Sequence, residues 1–398
     1  MKNHFKYTII GAGIIGLAIA ERLSRKYNNI LVIEKEKKFG LHTSSRNSEV
    51  LHSGFYYPEN SLKAKLCVQG NDMMYSFCKK YNIPHQNCGK LIVASSPKDF
   101  TRLNNLYERG KSNKVEGLRL VEKQEIQEIE PHVRSDKGLY APKTGIVDYR
   151  EVSKKYSEII INHGAQIQLN TKLIRASEKN SITILETSKG PIESRYVINC
   201  AGLHSDLVAN YMGVKTGLRI IPFRGEYYTI QNKDKNLINS MIYPLSDPQL
   251  PFLGIHLTKT VEGGIEAGPN AVFAFAKEGY TWGTFNLFEL ISSVSYLGFW
   301  RLVGSYFRTG IGEMYRSLRK KKFLAEINKF VKDVYLEDLE PKNSGVRAQA
   351  VDRRGNLIDD FYFLEGPHSL HVINAPSPAA TASLAIAEYI SLKVNSEL

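Results

Sequence analysis

Residues 5–35 read FKYTIIGAGIIGLAIAERLSRKYNNILVIEK, and this stretch decides the fold. Tyr7 to Ile10 are β-branched or aromatic and run straight into glycine, the pattern of a buried strand. Gly11, Gly13 and Gly16 then complete a G-x-G-x-x-G turn. The first glycine permits the sharp turn, the second lets a pyrophosphate lie against the backbone, and the third lets a helix pack close to the strand. The helix expected from Ile14 points its positive end at those phosphates. Asn28 and Asn29 break it, and Ile30 to Ile33 form the next strand. Glu34 stands at that strand's end, where a carboxylate accepts two hydrogen bonds from a ribose diol and repels a 2′-phosphate. These residues predict an ADP-containing dinucleotide, FAD or NAD, and exclude NADP.

The chain has 398 residues, enough for one large domain or two intermingled ones, and 42% hydrophobic residues with 23% charged is ordinary globular composition. Cys67, Cys78, Cys88 and Cys200 have no C-x-x-C spacing and read as reduced buried thiols. The N-terminus enters the first strand directly, which predicts a cytoplasmic protein without a secretory leader. The net charge of +13 fits nucleic acid, anionic lipid or an anionic substrate. No nucleic-acid module is evident, which favours the other two. The dispersed histidines predict no metal site.

Residues 38–57, KFGLHTSSRNSEVLHSGFYY, follow the acidic strand end at once. Thr43, Ser44, Ser45, Arg46 and Asn47 gather hydroxyls, a guanidinium and an amide, suited to a pyrophosphate and a ribityl chain. LHSGFYY then turns apolar and aromatic, as a cofactor-facing wall. GAGIIG together with HTSSRNSEVLHSGFYYP resembles the FAD-dependent oxidoreductases of the D-amino-acid oxidase and glycine oxidase superfamily, and within it the L-2-hydroxyglutarate oxidases and dehydrogenases. GIVDYREV at 145–152, the glycine-rich stretch 251–280 and GVRAQAVDRRGNLIDDF at 345–361 extend the likeness along nearly the whole chain. It implies an α/β fold with a Rossmann-like FAD-binding domain and an antiparallel-sheet substrate domain.

The expected division is 1–84, 145–215 and 341–398 for the FAD domain, with 85–144 and 216–340 for the substrate domain. Ser61 to Tyr81, Arg102 to Glu108, Gln124 to Ile129 and Glu151 to Gly164 read as helices. Segments 166–169, 172–176 and 182–187 alternate like paired strands. Tyr196 to Gly202 reads as a strand whose Ala201 and Gly202 admit close approach, with Ser205 capping the next helix. Residues 218–279 become strand-rich. In the last segment, 371–392, strand, small-residue turn and helix follow one another, with Ser377 as the cap. The expected cofactor-contacting set is Gly11, Gly13, Ile14, Ile15, Gly16, Glu34, Lys35, Thr43, Ser44, Ser45, Arg46, Asn47, Leu173, Ala201, Gly202 and Ser377.

Residues 282–322 differ from the rest in being aromatic, apolar and basic together. The uncharged run Leu290 to Trp300 is too short to span a bilayer, which takes about 20 residues. Trp282, Phe285, Phe288, Phe299, Trp300, Tyr306 and Phe307 suit an interface, and Arg316 with Arg319 to Lys322 suits anionic headgroups. Two readings stand: helices packed on the substrate sheet, or peripheral contact with the inner face of the cell membrane, where a quinone is at hand.

The resemblance further implies oxidation of an L-2-hydroxy dicarboxylate, L-2-hydroxyglutarate, to the 2-oxo acid. Removing the hydroxyl proton needs a base, and histidine is suited to it. His256 in GIHLT is the first choice and His52 in LHSG the second, with covalent flavin attachment an alternative role for His52. A carboxylate calls for arginine: Arg347 first, Arg224 second, with Tyr243 adding a hydrogen bond. The competing readings are an amine oxidase of the same fold acting on glycine or sarcosine, and a non-catalytic dinucleotide-binding protein docked on membranes.

Overall fold

In the computed structural model, residues 4–94, 96–231, 237–245 and 254–395 are described. The opening stretch forms strand His4–Ile10, helix Ile14–Ser24 and strand Ile30–Ile33. Strand His4–Ile10 lies between Ile30–Ile33 and Gly190–Asn199, parallel to both. Gln166–Gln168 extends this parallel sheet beyond Ile30–Ile33, and Ser369–Asn374 extends it beyond Gly190–Asn199. A parallel sheet covered on both faces demands apolar residues on both, and all four residues of Ile30–Ile33 are buried. The three strands expected to pair between 166 and 187 divide: Leu173–Lys179 and Ile182–Thr187 form an antiparallel pair, while Gln166–Gln168 joins the parallel core.

Helices cover one face of this sheet. Helix Leu62–Tyr81 starts from Ser61, whose hydroxyl accepts from the Ala64 amide. Helix Tyr149–Asn162 starts from Asp148, whose carboxylate accepts from the Arg150 and Glu151 amides. Both devices satisfy amides that have no partner inside the helix. These two, helix Ile14–Ser24 and helix Ser383–Asn395 bury Leu17, Ile19, Met74, Phe77, Tyr156, Ile160 and Ile386 in one core with Ile9 and Val32. Two expected caps fall elsewhere. Ser205 is the first residue of helix Ser205–Tyr211, and its hydroxyl donates to the Ile373 carbonyl. Ser377 lies in the turn before helix Ser383–Asn395, too far ahead to cap it.

Among the described residues, the second sheet has nine strands. Leu218–Ile230 pairs with Leu339–Asp352 along its length, so residues 341–352 belong to this sheet and not to the closing cofactor segment. Ile265–Gly268, His256–Lys259 and Met241–Pro244 follow on the other side of Leu218–Ile230. The sheet is antiparallel except at one seam, where Met241–Pro244 runs parallel to Lys90–Val93. Phe252 and Leu253, the expected start of one strand, lie outside the described residues. Register puts Lys90, Ile92, Tyr243 and His256 on one face, turned toward the first sheet. Leu91, Val93, Ile242 and Leu257 face the other way, into a core closed by Phe323 and Ile327.

Residues 282–322 form helices Leu287–Val294 and Leu297–Ser317 and the start of Lys320–Ile327. Among the described residues no helix is long and apolar enough to cross a membrane. Phe299, expected at an interface, is instead buried with Ile221, Leu302 and Val351.

A Cβ on Gly16 would stand 2.0 Å from the Gly11 carbonyl oxygen. Gly16→Ala should therefore destabilise the fold by about 3 kcal/mol through overpacking, read as a lower Tm with loss of flavin on purification.

Candidate active site

A cavity of about 1040 Å³ runs between the two sheets, from the glycine turn to the inner face of the second sheet. At its first end, Gly11 has φ +104°, and a Cβ there would meet the Cys200 carbonyl at 2.6 Å. A Cβ on Gly13 would meet nothing closer than Ser44 Oγ at 3.2 Å, so this turn stays open on the cavity side. Ser44 Oγ accepts from the Ile14 amide at 2.9 Å, holding the loop 38–57 against the helix N-terminus. Glu34 accepts from the Ala12 amide at 2.8 Å and the Glu36 amide at 3.0 Å, which ties the strand end to the glycine turn. Each carboxylate oxygen keeps a second lone pair for a ribose hydroxyl.

Of the expected cofactor set, Gly11, Gly13, Ile14, Ile15, Glu34, Lys35, Thr43, Ser44, Arg46, Asn47, Leu173, Ala201, Gly202 and Ser377 line this cavity. Gly16 does not, because its place is the packing contact with Gly11. Ser45 also stands off the cavity, its hydroxyl donating back to the His42 carbonyl. Asn47 serves the loop itself: Nδ2 donates to the Thr43 and Ser44 carbonyls, and Oδ1 accepts from the Glu49 amide. The residues fit an extended dinucleotide: an open glycine turn under a helix N-terminus, an acid at the second strand's end, and small residues at Ala201–Gly202.

A polar cluster on the cavity wall, absent from the sequence-based expectation, joins the two sheets. Lys35 pairs with both Glu36 and Glu278, His204 Nε2 lies 3.1 Å from Glu278, and His42 Nδ1 lies 2.6 Å from the Tyr280 hydroxyl. Burial pushes the Glu278 carboxyl up, but bonds from His204 and Lys35 outweigh it and hold the group down to about 2. Glu36, His42 and Glu278 bring three ligand-type atoms within 4.8 Å of one another, and the Lys35 ammonium already bonds both carboxylates.

At the far end, His52, Tyr56, Tyr227, Tyr243, His256 and Arg347 line the cavity. The Tyr243 and His256 rings stack with centroids 3.8 Å apart and planes 19° apart. His256 Nδ1 lies 2.9 Å from the Gly254 carbonyl. A carbonyl can only accept, so Nδ1 carries the proton and Nε2 keeps its lone pair. Burial drives the His256 imidazole down to about 3, with the Lys90 and Arg347 cations adding to the effect and the Gly254 bond opposing it. His52 Nε2 lies 3.1 Å from Ser377 Oγ, and burial first, then Lys90, His256 and Lys63, hold its pKa well below the ordinary value. Both imidazoles are therefore neutral near pH 7.

Arg224 is not part of this end. Alternation turns it away from Arg347: Phe223 is the register partner of Arg347, and Arg224 that of Val346. Its guanidinium is fully buried, bonds Glu226 at 3.0 and 3.1 Å and lies 4.3 Å from the Trp282 ring, so it fastens residues 282–317 to the sheet. Two groups at this end were not singled out in the sequence: Tyr56, which lines the cavity, and Lys90, which packs on the Tyr243 ring. Among the described residues, the buried Tyr56 hydroxyl and the buried Lys90 ammonium have no hydrogen-bond partner. A signal for Lys90 was present: a lysine heading the apolar strand Lys90–Val93.

The model of the FAD dependent oxidoreductase family matches residues 6–391. An L-2-hydroxyglutarate dehydrogenase of Indibacter alkaliphilus is 44% identical over 386 residues, covering 96% of each chain. The L-2-hydroxyglutarate dehydrogenase of Escherichia coli K12 is 38% identical, covering 99% of this chain and 94% of its own. Among solved structures, the FAD-bound L-alpha-glycerophosphate oxidase of Mycoplasma pneumoniae superposes with a TM-score of 0.81 at 21% identity, over 99% of this chain and 95% of that one. Glycine oxidase of Geobacillus kaustophilus superposes at 0.75 with 16% identity and the same coverage. These two share the fold. With its cradle for FAD and a family match spanning nearly its full length, the chain belongs to the FAD-dependent oxidoreductases.

Proposed function

We propose that the protein oxidises L-2-hydroxyglutarate to 2-oxoglutarate and passes the electrons to a membrane quinone or to oxygen. The observation that carries this reading is the far end of the cavity, where the free Nε2 of a neutral, buried histidine stands on the same wall as an arginine. Bound FAD supplies a ring that accepts two electrons as hydride. His256 takes the hydroxyl proton at Nε2, and Nδ1, tied to Gly254, holds the imidazole in the tautomer that can do so. Arg347 holds a substrate carboxylate through paired N–H donors, which lysine could not match. The Tyr56 hydroxyl, which has no partner among the described residues, donates to the substrate. Ser377 fixes His52 beside the ring.

The surface of residues 285–318 supports the membrane part of the reading. Phe285, Leu287, Phe288 and Ile291 are exposed, Phe288 to 84%. Along helix Leu297–Ser317 and just beyond, Trp300 is exposed, and so are Phe307, Ile311, Tyr315 and Leu318, which follow one another at three- and four-residue spacing. Arg301, Arg308, Arg319, Lys321 and Lys322 are exposed nearby. An apolar stripe beside cations suits an anionic bilayer surface.

Anaerobic addition of L-2-hydroxyglutarate should bleach the flavin spectrum, while the D isomer and sarcosine leave it yellow; bleaching by sarcosine alone would make the amine-oxidase reading the better one. His256→Gln should keep its flavin and lose about 100-fold in kcat, and undiminished turnover would remove the base assignment. The protein should co-sediment with phosphatidylglycerol vesicles at low salt and release as salt rises. Replacing Phe288 and Trp300 by serine should abolish that binding with kcat unchanged in solution.

A further inference from the structure

Lys90 is fully buried, and its ammonium has no hydrogen-bond partner among the described residues. Nor does it form an ion pair with any carboxylate among them. Taking a cation out of water without a counter-charge costs several kcal/mol, so a methionine of similar length would give a more stable fold. The ammonium lies 3.8 Å from the centroid of the Tyr243 ring and 5.6 Å from that of Tyr56. His256 stacks on Tyr243 at the same 3.8 Å. One ring has two faces, so the three groups form a stack of ammonium, phenol and imidazole. Tyr56, Tyr243 and His256 all line the cavity. Lys90 stands immediately behind the wall they make.

The geometry points to Lys90 as the specificity-determining positioning residue for a dianionic substrate: its ammonium, behind the Tyr243–Tyr56 wall, supplies the second positive charge that Arg347 alone does not. The assignment rests on the dicarboxylate reading above. A monocarboxylate satisfies Arg347 and leaves the Lys90 field unbalanced; a second carboxylate balances it. Field strength across a thin, dry aromatic wall is far greater than in water. The charge also acts on both imidazoles, which keeps them in the proton-accepting form.

The titratable groups that face Lys90 are Tyr56 and His52 from the loop 38–57, Cys67 from helix Leu62–Tyr81, Cys88 ahead of its own strand, and Tyr243 and His256 from the neighbouring strands. Lys63 and Arg347 are the next cations, acting on His52 and His256 respectively. Burial drives the Lys90 ammonium down to about 7, against a small upward pull from Cys67 and Cys88. The histidines titrate well below this, so a change near pH 7 reports on Lys90. Arrival of a second substrate carboxylate favours the ammonium.

The test uses the FAD-loaded enzyme with L-2-hydroxyglutarate and, as the monocarboxylate probe, L-2-hydroxybutyrate. In the wild type, KM for the dicarboxylate should rise about tenfold per unit above pH 7, while KM for the monocarboxylate stays level. Lys90→Met should raise KM for L-2-hydroxyglutarate at least tenfold at pH 6.5, keep kcat within about threefold, erase the break near pH 7 and leave Tm no lower. Lys90→Arg, always charged, should restore selectivity for the dicarboxylate without the break. Normal wild-type turnover with unmoved KM and pH profile in Lys90→Met overturns the assignment alone. Should Lys90→Met fail to hold FAD, parallel wild-type pH profiles for the two substrates overturn it equally. A wild type that leaves L-2-hydroxyglutarate unoxidised overturns the substrate reading and this assignment with it.

Discussion

Three backbone segments meet at the end of strand His4–Ile10 with no room for a side-chain carbon between them. The Gly11 Cα faces the Cys200 carbonyl, and the Gly16 Cα faces the Gly11 carbonyl. Everything that holds the dinucleotide follows from that crossing. It aims the N-terminus of helix Ile14–Ser24 into the cavity, leaves Gly13 open, and places Glu34 within bonding distance of the Ala12 amide. The same crossing brings Ala201 and Gly202 to the cavity wall, because they follow directly from Cys200.

The two halves of the cavity use charge in opposite ways. Near the glycine turn, ions are paired: Lys35 between Glu36 and Glu278, with His204 and His42 completing the set. Such pairing joins the sheets and leaves little net field. At the far end, cations outnumber anions, and burial keeps both histidines neutral. Burial and the nearby cations both disfavour the imidazolium, so the two rings stay neutral.

The local grammar of the chain was legible. Glycine spacing, the acidic strand end and the helix start at Ser61 could be read because each depends on neighbours within a few residues, whereas the helix expected from Glu151 begins two residues earlier, behind the Asp148 cap. Pairing could not. The seam between Lys90–Val93 and Met241–Pro244 joins segments about 150 residues apart, and nothing in either reveals the other. The same blindness put Arg224 in the substrate site: FRGEYY gives its alternation but not its face, and Glu226, its actual partner, is two residues away in plain sight. Phe299 read as interfacial because it stands among aromatics ahead of a basic cluster, yet its place on the helix turns it inward while Trp300 and Phe307 stay exposed. Lys90 was passed over because a charge at a strand's head usually marks its solvent end.

The parallel seam has a consequence for biosynthesis. The far end of the cavity takes Tyr243 and His256 from the middle of the chain and Arg347 from its last third, with Lys90 from the first third behind them. The strand carrying Arg347 zips along Leu218–Ile230, and Ser369–Asn374 completes the first sheet later still. A nascent chain on the ribosome can thus form the glycine turn early, but closes the far end of the cavity only when nearly its whole length has emerged. A chain released before that point lacks the strand that carries Arg347 and with it one wall of the cavity.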